Sequence, residues 1–130
     1  MTTIVRTTPT NYRVDIESGH HKLVADEPVA AGGRDAGPDP FDYVLAGLGA
    51  CTAITLKMYA ERKGWDVGEL RVELSLQRDD DGRAHVARVI SSSAKVDDEQ
   101  WSRLLDIAGK TPVTKTLKEA MEISAERKRT

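Results

Sequence analysis

The chain has 130 residues, with 19 Lys plus Arg against 21 Asp plus Glu, a formal charge of −2, 39% hydrophobic residues and one cysteine. That describes one globular domain spanning residues 1–130, part of whose core is expected to be shared with a partner chain. One Cys and three His exclude an intrachain disulfide and leave too few ligands for a metal centre. The charge balance argues against a nucleic-acid surface, and the absence of a signal-peptide plan or of any stretch near the roughly 20 apolar residues of a membrane span points to a reducing cytoplasmic setting.

From Ile4 to Asp26 the pattern is β-like. Tyr12, Val14 and Ile16 alternate with Arg13, Asp15 and Glu17, and Ser18-Gly19-His20 turns the chain into Lys22-Leu-Val-Ala-Asp26, which predicts a hairpin with one buried face. Gly32-Gly33-Arg34-Asp35-Ala36-Gly37-Pro38-Asp39-Pro40 sustains neither helix nor central strand and reads as a loop. A long helix follows over Phe41 to Lys63, with Asp39 as N-cap and Gly64 as terminator. Val44, Leu45, Leu48, Cys51, Thr52, Thr55, Leu56 and Tyr59 form its broad face, and Ala46, Gly47, Gly49, Ala50 and Ala53 make its first half apolar almost all round. Such a helix is expected to be central, with its charged end, Lys57 to Lys63, in solvent.

Leu70, Val72, Leu74 and Leu76 alternate along a strand, Arg78-Asp-Asp-Asp-Gly82 turns, and Arg83 to Lys95 returns as a second hairpin. Asp97 or Asp98 caps a helix carrying Trp101, Leu104, Leu105 and Ala108, stopped at Gly109-Lys110. Thr111-Pro112 starts a short helix through Leu117, with Thr as N-cap and Pro at the first helical position. Met121 to Ala125 is expected to be a last strand, ahead of a basic tail at Arg127-Lys-Arg129. The whole reads as one α+β domain.

Cys51 is the candidate nucleophile. A free thiol is only a few per cent ionised at neutral pH, so reactivity needs a cation or a helix N-terminus beside it, and Cys51 lies too deep in its own helix for that dipole to help. Activation is therefore expected from elsewhere, with Arg6, Arg13 and Arg34 as candidates. The plainer alternative is a buried Cys acting as a small hydrophobe. The Gly32-Gly33 loop lacks the Lys-Ser/Thr of a phosphate loop, the Asp79 to Gly82 run lacks the later acid of a calcium loop, and no cofactor is implied. Trp65 and Trp101 read as core or interface anchors.

Asp26-Glu-Pro28, the Gly32 to Pro40 loop, Leu45-Ala-Gly-Leu-Gly-Ala-Cys-Thr-Ala-Ile-Thr55 and Met58-Tyr-Ala-Glu-Arg-Lys-Gly-Trp65 together resemble the OsmC/Ohr family, the osmotically inducible and organic hydroperoxide resistance proteins. Thr111-Pro112-Val113 with Lys115-Thr116-Leu117 resembles its second motif. The likeness covers about residues 11 to 125. It implies an OsmC-like fold, an intertwined homodimer in which antiparallel sheets wrap around long central helices, and thiol-dependent reduction of organic hydroperoxides with Cys51 at the peroxidatic position.

Two departures qualify what the resemblance implies. Thr111 stands where the family carries its resolving Cys, and Phe41 where its hydroperoxide-reducing members carry a Glu, with Asp42 one residue on. Arg34 and Arg13 are candidates for the activating Arg by location only. The expectation is a one-Cys thiol peroxidase resolved by an external thiol, and the rival is a catalytically silent dimer that binds a small apolar molecule at its interface pocket.

Overall fold

The computed structural model describes residues 1–128, which form three α-helices and two antiparallel sheets. The chain resolves into two compact units, Met1–Ala46 and the residues from Gly47 onward.

In the first unit β1 (Thr3–Thr7), β2 (Val14–Ser18) and β3 (His21–Ala25) make a meander in the order β1-β2-β3. The predicted hairpin is present as β2 and β3, and the segment around Ile4 adds a third strand beside it. Tyr12 lies in the turn before β2 and is exposed, not on its inward face. Alternation holds along β2, where Val14, Ile16 and Ser18 are half-buried while Asp15 and Glu17 are exposed. Gly19, at φ 60°, supplies the left-handed turn into β3 that only glycine adopts freely.

The loop after β3 is organised by one carboxylate. Asp26 is buried, and its Oδ1 accepts the backbone N–H of Tyr12 (3.1 Å) and Glu27 (2.8 Å) while Oδ2 accepts those of Arg34 (3.2 Å) and Ala36 (3.1 Å). A Cβ at Gly33 or Gly37 would strike the carbonyls of Glu27 or Val24, so the loop lies flat against the chain it leaves. Burial acts to raise the Asp26 pKa, and the N–H groups of Ala36, Glu27, Arg34 and Tyr12 outweigh it and hold it below the ordinary carboxylate value. A depressed folded pKa means the stabilisation is full above the unfolded value of about 3.9 and is lost as pH falls through the folded one. Asp26→Asn turns two acceptor sites into donors facing N–H groups. It should lower the melting temperature by several degrees at pH 7, and the gap to wild type should narrow as scanning calorimetry is repeated below about pH 4.

Helix α1 (Pro40–Lys63) opens with Pro at its first position and a reciprocal cap. Asp42 N–H donates to Asp39 Oδ1 (2.9 Å) and Asp39 N–H to Asp42 Oδ2 (3.2 Å). It ends at Gly64, φ 69°. Its buried stripe is Leu48, Gly49, Thr52, Leu56 and Ala60, which keeps Leu48, Thr52 and Leu56 of the predicted face, while Leu45, Cys51, Thr55 and Tyr59 are half-buried beside it. Val44 is left exposed and Gly49 is enclosed, because a Cβ there would sit 2.7 Å from Leu74 Cδ1 and only hydrogen lets the strand approach. Contrary to the sequence expectation, α1 is by length and composition apolar enough to cross a membrane, since its charges gather in the last turns. The stripe from Leu48 to Ala60 packs inside the protein instead, as a core helix does.

The second unit pairs β4 (Leu70–Arg78) with β5 (Ala84–Ser92) in the predicted hairpin, whose turn is held by Asp79 Oδ1 accepting the N–H groups of Asp81 (3.0 Å) and Arg83 (2.9 Å). Helix α2 (Asp98–Ala108) starts from an Asp97/Gln100 capping box. It buries Leu104 and Ala108 and leaves Leu105 56% exposed, so Leu105 is not a core residue. Leu56, Ala60, Val67, Leu104 and Ala108 form the core, and Trp65 and Trp101 pack against it. Leu56 is fully enclosed, and Leu56→Ala should cost about 3 kcal/mol, read as a lower urea midpoint with unchanged slope. Helix α3 (Pro112–Glu119) follows Thr111 as predicted. The expected last strand is absent. Ala120 turns the backbone at φ 64°, and Met121 and Ile123 are exposed with no strand among the described residues beside them. Arg129 of the basic tail lies outside the described residues.

Candidate functional site

Helix periodicity places Cys51 one residue before the buried Thr52 and one turn before Thr55, at the margin of the packed stripe, where its thiol is half-buried. Thr55 Oγ1 is 3.9 Å from the sulfur. The remaining contacts come from about sixty residues further along the chain. Thr111, the α3 N-cap, hydrogen-bonds the sulfur through its hydroxyl, and Val113 does so through its backbone N–H. The first amides of a helix have no intrahelical acceptor and carry its positive end, so α3 presents to Cys51 the dipole that α1 cannot.

Behind these donors lies Arg88. Strand parity turns it to the same side as Ile90 and Ser92, and it stands opposite Leu74 in the β4–β5 register. Its Nη1 donates to Thr52 Oγ1 (2.8 Å) and to Thr114 Oγ1 (3.1 Å), bridging α1 and α3 from the strand. Thr52 Oγ1 donates to the Leu48 carbonyl (2.7 Å), Thr114 Oγ1 donates to the Ala108 carbonyl (3.3 Å), and Thr114 Oγ1 lies 2.6 Å from Thr111 Oγ1. Arg88, Thr114 and Thr111 are thereby joined in one polar network that ends at the sulfur. Thr52, Thr111 and Thr114 are all buried, and among the described residues no buried side-chain polar atom lacks a partner.

Burial pushes the Cys51 pKa up, but the Val113 amide, the Thr111 and Thr55 hydroxyls and the Arg88 charge together outweigh it, and the thiol titrates below its ordinary value. These donors favour the thiolate over the thiol.

The structure therefore brings Cys51 and Thr111 together. The other sequence candidates have local partners in the first unit. The Arg13 guanidinium pairs with Asp15 (3.2 Å), the backbone N–H of Arg34 donates to Asp26 while its guanidinium makes no hydrogen bond or ion pair among the described residues, and Asp42 caps α1. Arg88, Thr114 and the Val113 amide were not among the candidates. The signal for Arg88 was its parity, a cation at an inward position of a strand whose neighbours at that parity are Val86 and Ile90.

The family described as OsmC-like protein matches residues 32–126. No curated protein matches the chain. Among solved structures, a protein from Psychrobacter arcticus is similar at TM-score 0.76 and 21% identity, covering 88% of this chain and 86% of its own. An OsmC-like protein from Mycoplasma pneumoniae is similar at 0.70 and 19%, over 90% and 86%. The organic hydroperoxide resistance protein OhrB of Bacillus subtilis is similar at 0.62 and 23%, over 88% and 87%. The family match extends from the loop at Gly32 through the helix of Cys51 to the helix capped by Thr111, and the neighbours share the fold, so this chain belongs to the OsmC-like family.

Proposed function

We propose that the protein is a one-Cys thiol peroxidase for organic hydroperoxides, acting as a cytoplasmic homodimer. The observation that carries this reading is the ring of donors around Cys51 Sγ: the Val113 amide, two threonine hydroxyls and the Arg88 charge. The thiolate attacks the terminal peroxide oxygen, an S–O bond forms as the O–O bond breaks, and the alkoxide leaves with a proton as the alcohol, giving Cys51 sulfenic acid. Thr111 has no sulfur with which to close a disulfide, so an external thiol condenses with the sulfenic acid, releasing water, and a second thiol frees Cys51. The similarity to OhrB of Bacillus subtilis, an organic hydroperoxide resistance protein, supports the substrate class.

The dimer is supported by apolar surface that one chain leaves open. Val5, Ile16 and Leu23 stand in a row across β1, β2 and β3, with Val5 57% and Leu23 41% exposed, and Val44, Ile54 and Met58 are exposed along α1. Sedimentation should give twice the monomer mass at micromolar concentration. For the chemistry, cumene hydroperoxide added with a small-thiol reductant should be consumed, and a dimedone adduct should appear at Cys51 by mass spectrometry. Unchanged turnover in Cys51→Ser, with no adduct in the wild type, would overturn the reading.

A further inference from the structure

We propose that the cleft lined by Leu48, Leu76, Val86 and Leu117, with Arg88 and Lys118 as its cations, binds an apolar monocarboxylate. The cleft is about 360 Å³, at the small end of the range of ligand pockets, and no acidic residue lines it. Arg88 is half-buried and has no carboxylate partner among the described residues, where the ion pairs are Arg6–Glu17, Arg13–Asp15, Arg71–Glu73 and Lys110–Asp106. Of its five N–H groups, the two on Nη1 are spent on Thr52 and Thr114. The Nε and Nη2 hydrogens make no bond within the described residues, and that edge of a guanidinium is one a carboxylate takes with two parallel bonds. The Arg88 charge acts on the Cys51 sulfur through space, but its direct hydrogen bonds are to hydroxyl oxygens alone, so its free edge can take a further anion.

The rest of the lining selects what the anion is attached to. Leu48, Leu76, Val86 and Leu117 offer a hydrocarbon surface, and Val86 and Leu117 remain 37% and 39% exposed among the described residues. Lys118 adds a second positive charge and His85 a further polar group. An inorganic anion would satisfy Arg88 and leave the leucines wet, and an alcohol or alkane would do the reverse. A chain of several methylenes ending in a carboxylate satisfies both. This assignment concerns binding and does not depend on turnover at Cys51.

The test uses octanoate, 1-octanol and acetate with the full chain, followed through the methyl resonances of Leu48, Leu76, Val86 and Leu117. Octanoate should shift these methyls saturably, and about tenfold more tightly than either 1-octanol or acetate, as one charge-assisted bidentate contact requires. Arg88→Met, checked for folding by its melting curve, should bring octanoate to the level of 1-octanol. Octanol binding as tightly as octanoate overturns the proposal without recourse to any variant. So does the absence of saturable shifts at millimolar octanoate, which is also what a cleft filled by a second copy of the chain would give.

Discussion

Arg88→Met should slow alkylation of Cys51 at pH 7 by about tenfold, the effect of losing roughly 1.4 kcal/mol of thiolate stabilisation. The guanidinium acts on the sulfur in two ways. Its charge favours the anion directly, and its bond to Thr114 fixes the hydroxyl beside Thr111. Methionine retains much of the volume and neither of these. The rate should follow the thiolate fraction, so the whole pH profile of alkylation should move to higher pH while its plateau changes little. Arg88→Lys separates the two effects, since an ammonium keeps the charge and lacks the fork. It should recover part of the wild-type rate at pH 7. If alkylation in Arg88→Met matched wild type from pH 6 to 9, neither the charge of Arg88 nor its bond to Thr114 would have any bearing on Cys51.

How much of this was legible in the sequence depends on the range of the forces involved. Caps and turns are local, and they were read well: Asp39 before Pro40, Thr111 before Pro112, and Gly64 at the end of α1 stand where their own backbone demands. The helix, the loop before it and the second hairpin follow from periodicities of 3.6 and 2 over long stretches. Cys51 and Thr111 were marked by the family motifs. What escaped was set by contacts across the chain. Arg88 reaches Thr52 from 36 residues away, and Val113 meets the sulfur through an amide, which every residue but proline carries and no sequence pattern displays. The depth of Cys51 in α1 ruled out that helix's own dipole, and the dipole that serves it belongs to α3. The missing last strand is a similar case, because Met121 to Ala125 has the alternation of a strand and no strand partner among the described residues.

Thr111→Cys should convert a one-Cys site into a two-Cys site. The Thr111 hydroxyl hydrogen-bonds the Cys51 sulfur, so a sulfur at position 111 starts within reach of a sulfenic acid at Cys51. One equivalent of organic hydroperoxide should then leave a disulfide: Cys51 gains the oxygen, the new thiol displaces it as water, and two hydrogens are lost from the protein. Mass spectrometry of the non-reduced protein should show a loss of about 2 Da with no thiol left to alkylate. Wild type treated identically should retain an added oxygen, trapped by dimedone, and with excess peroxide should advance to the sulfinic acid, which the variant should resist. The substitution removes the oxygen that caps α3 and neighbours Thr114, for a stability loss of about 1 kcal/mol, which a folded domain tolerates. The effect on chemistry is far larger than that, because it changes which reductant is needed: a monothiol pair resolves the wild-type sulfenic acid, whereas the variant presents a disulfide that a dithiol reopens more readily. A variant that remained at the sulfenic acid, folded and with both sulfurs free to alkylate, would mean that the hydroxyl of Thr111 and the sulfur of Cys51 are neighbours in hydrogen bonding alone.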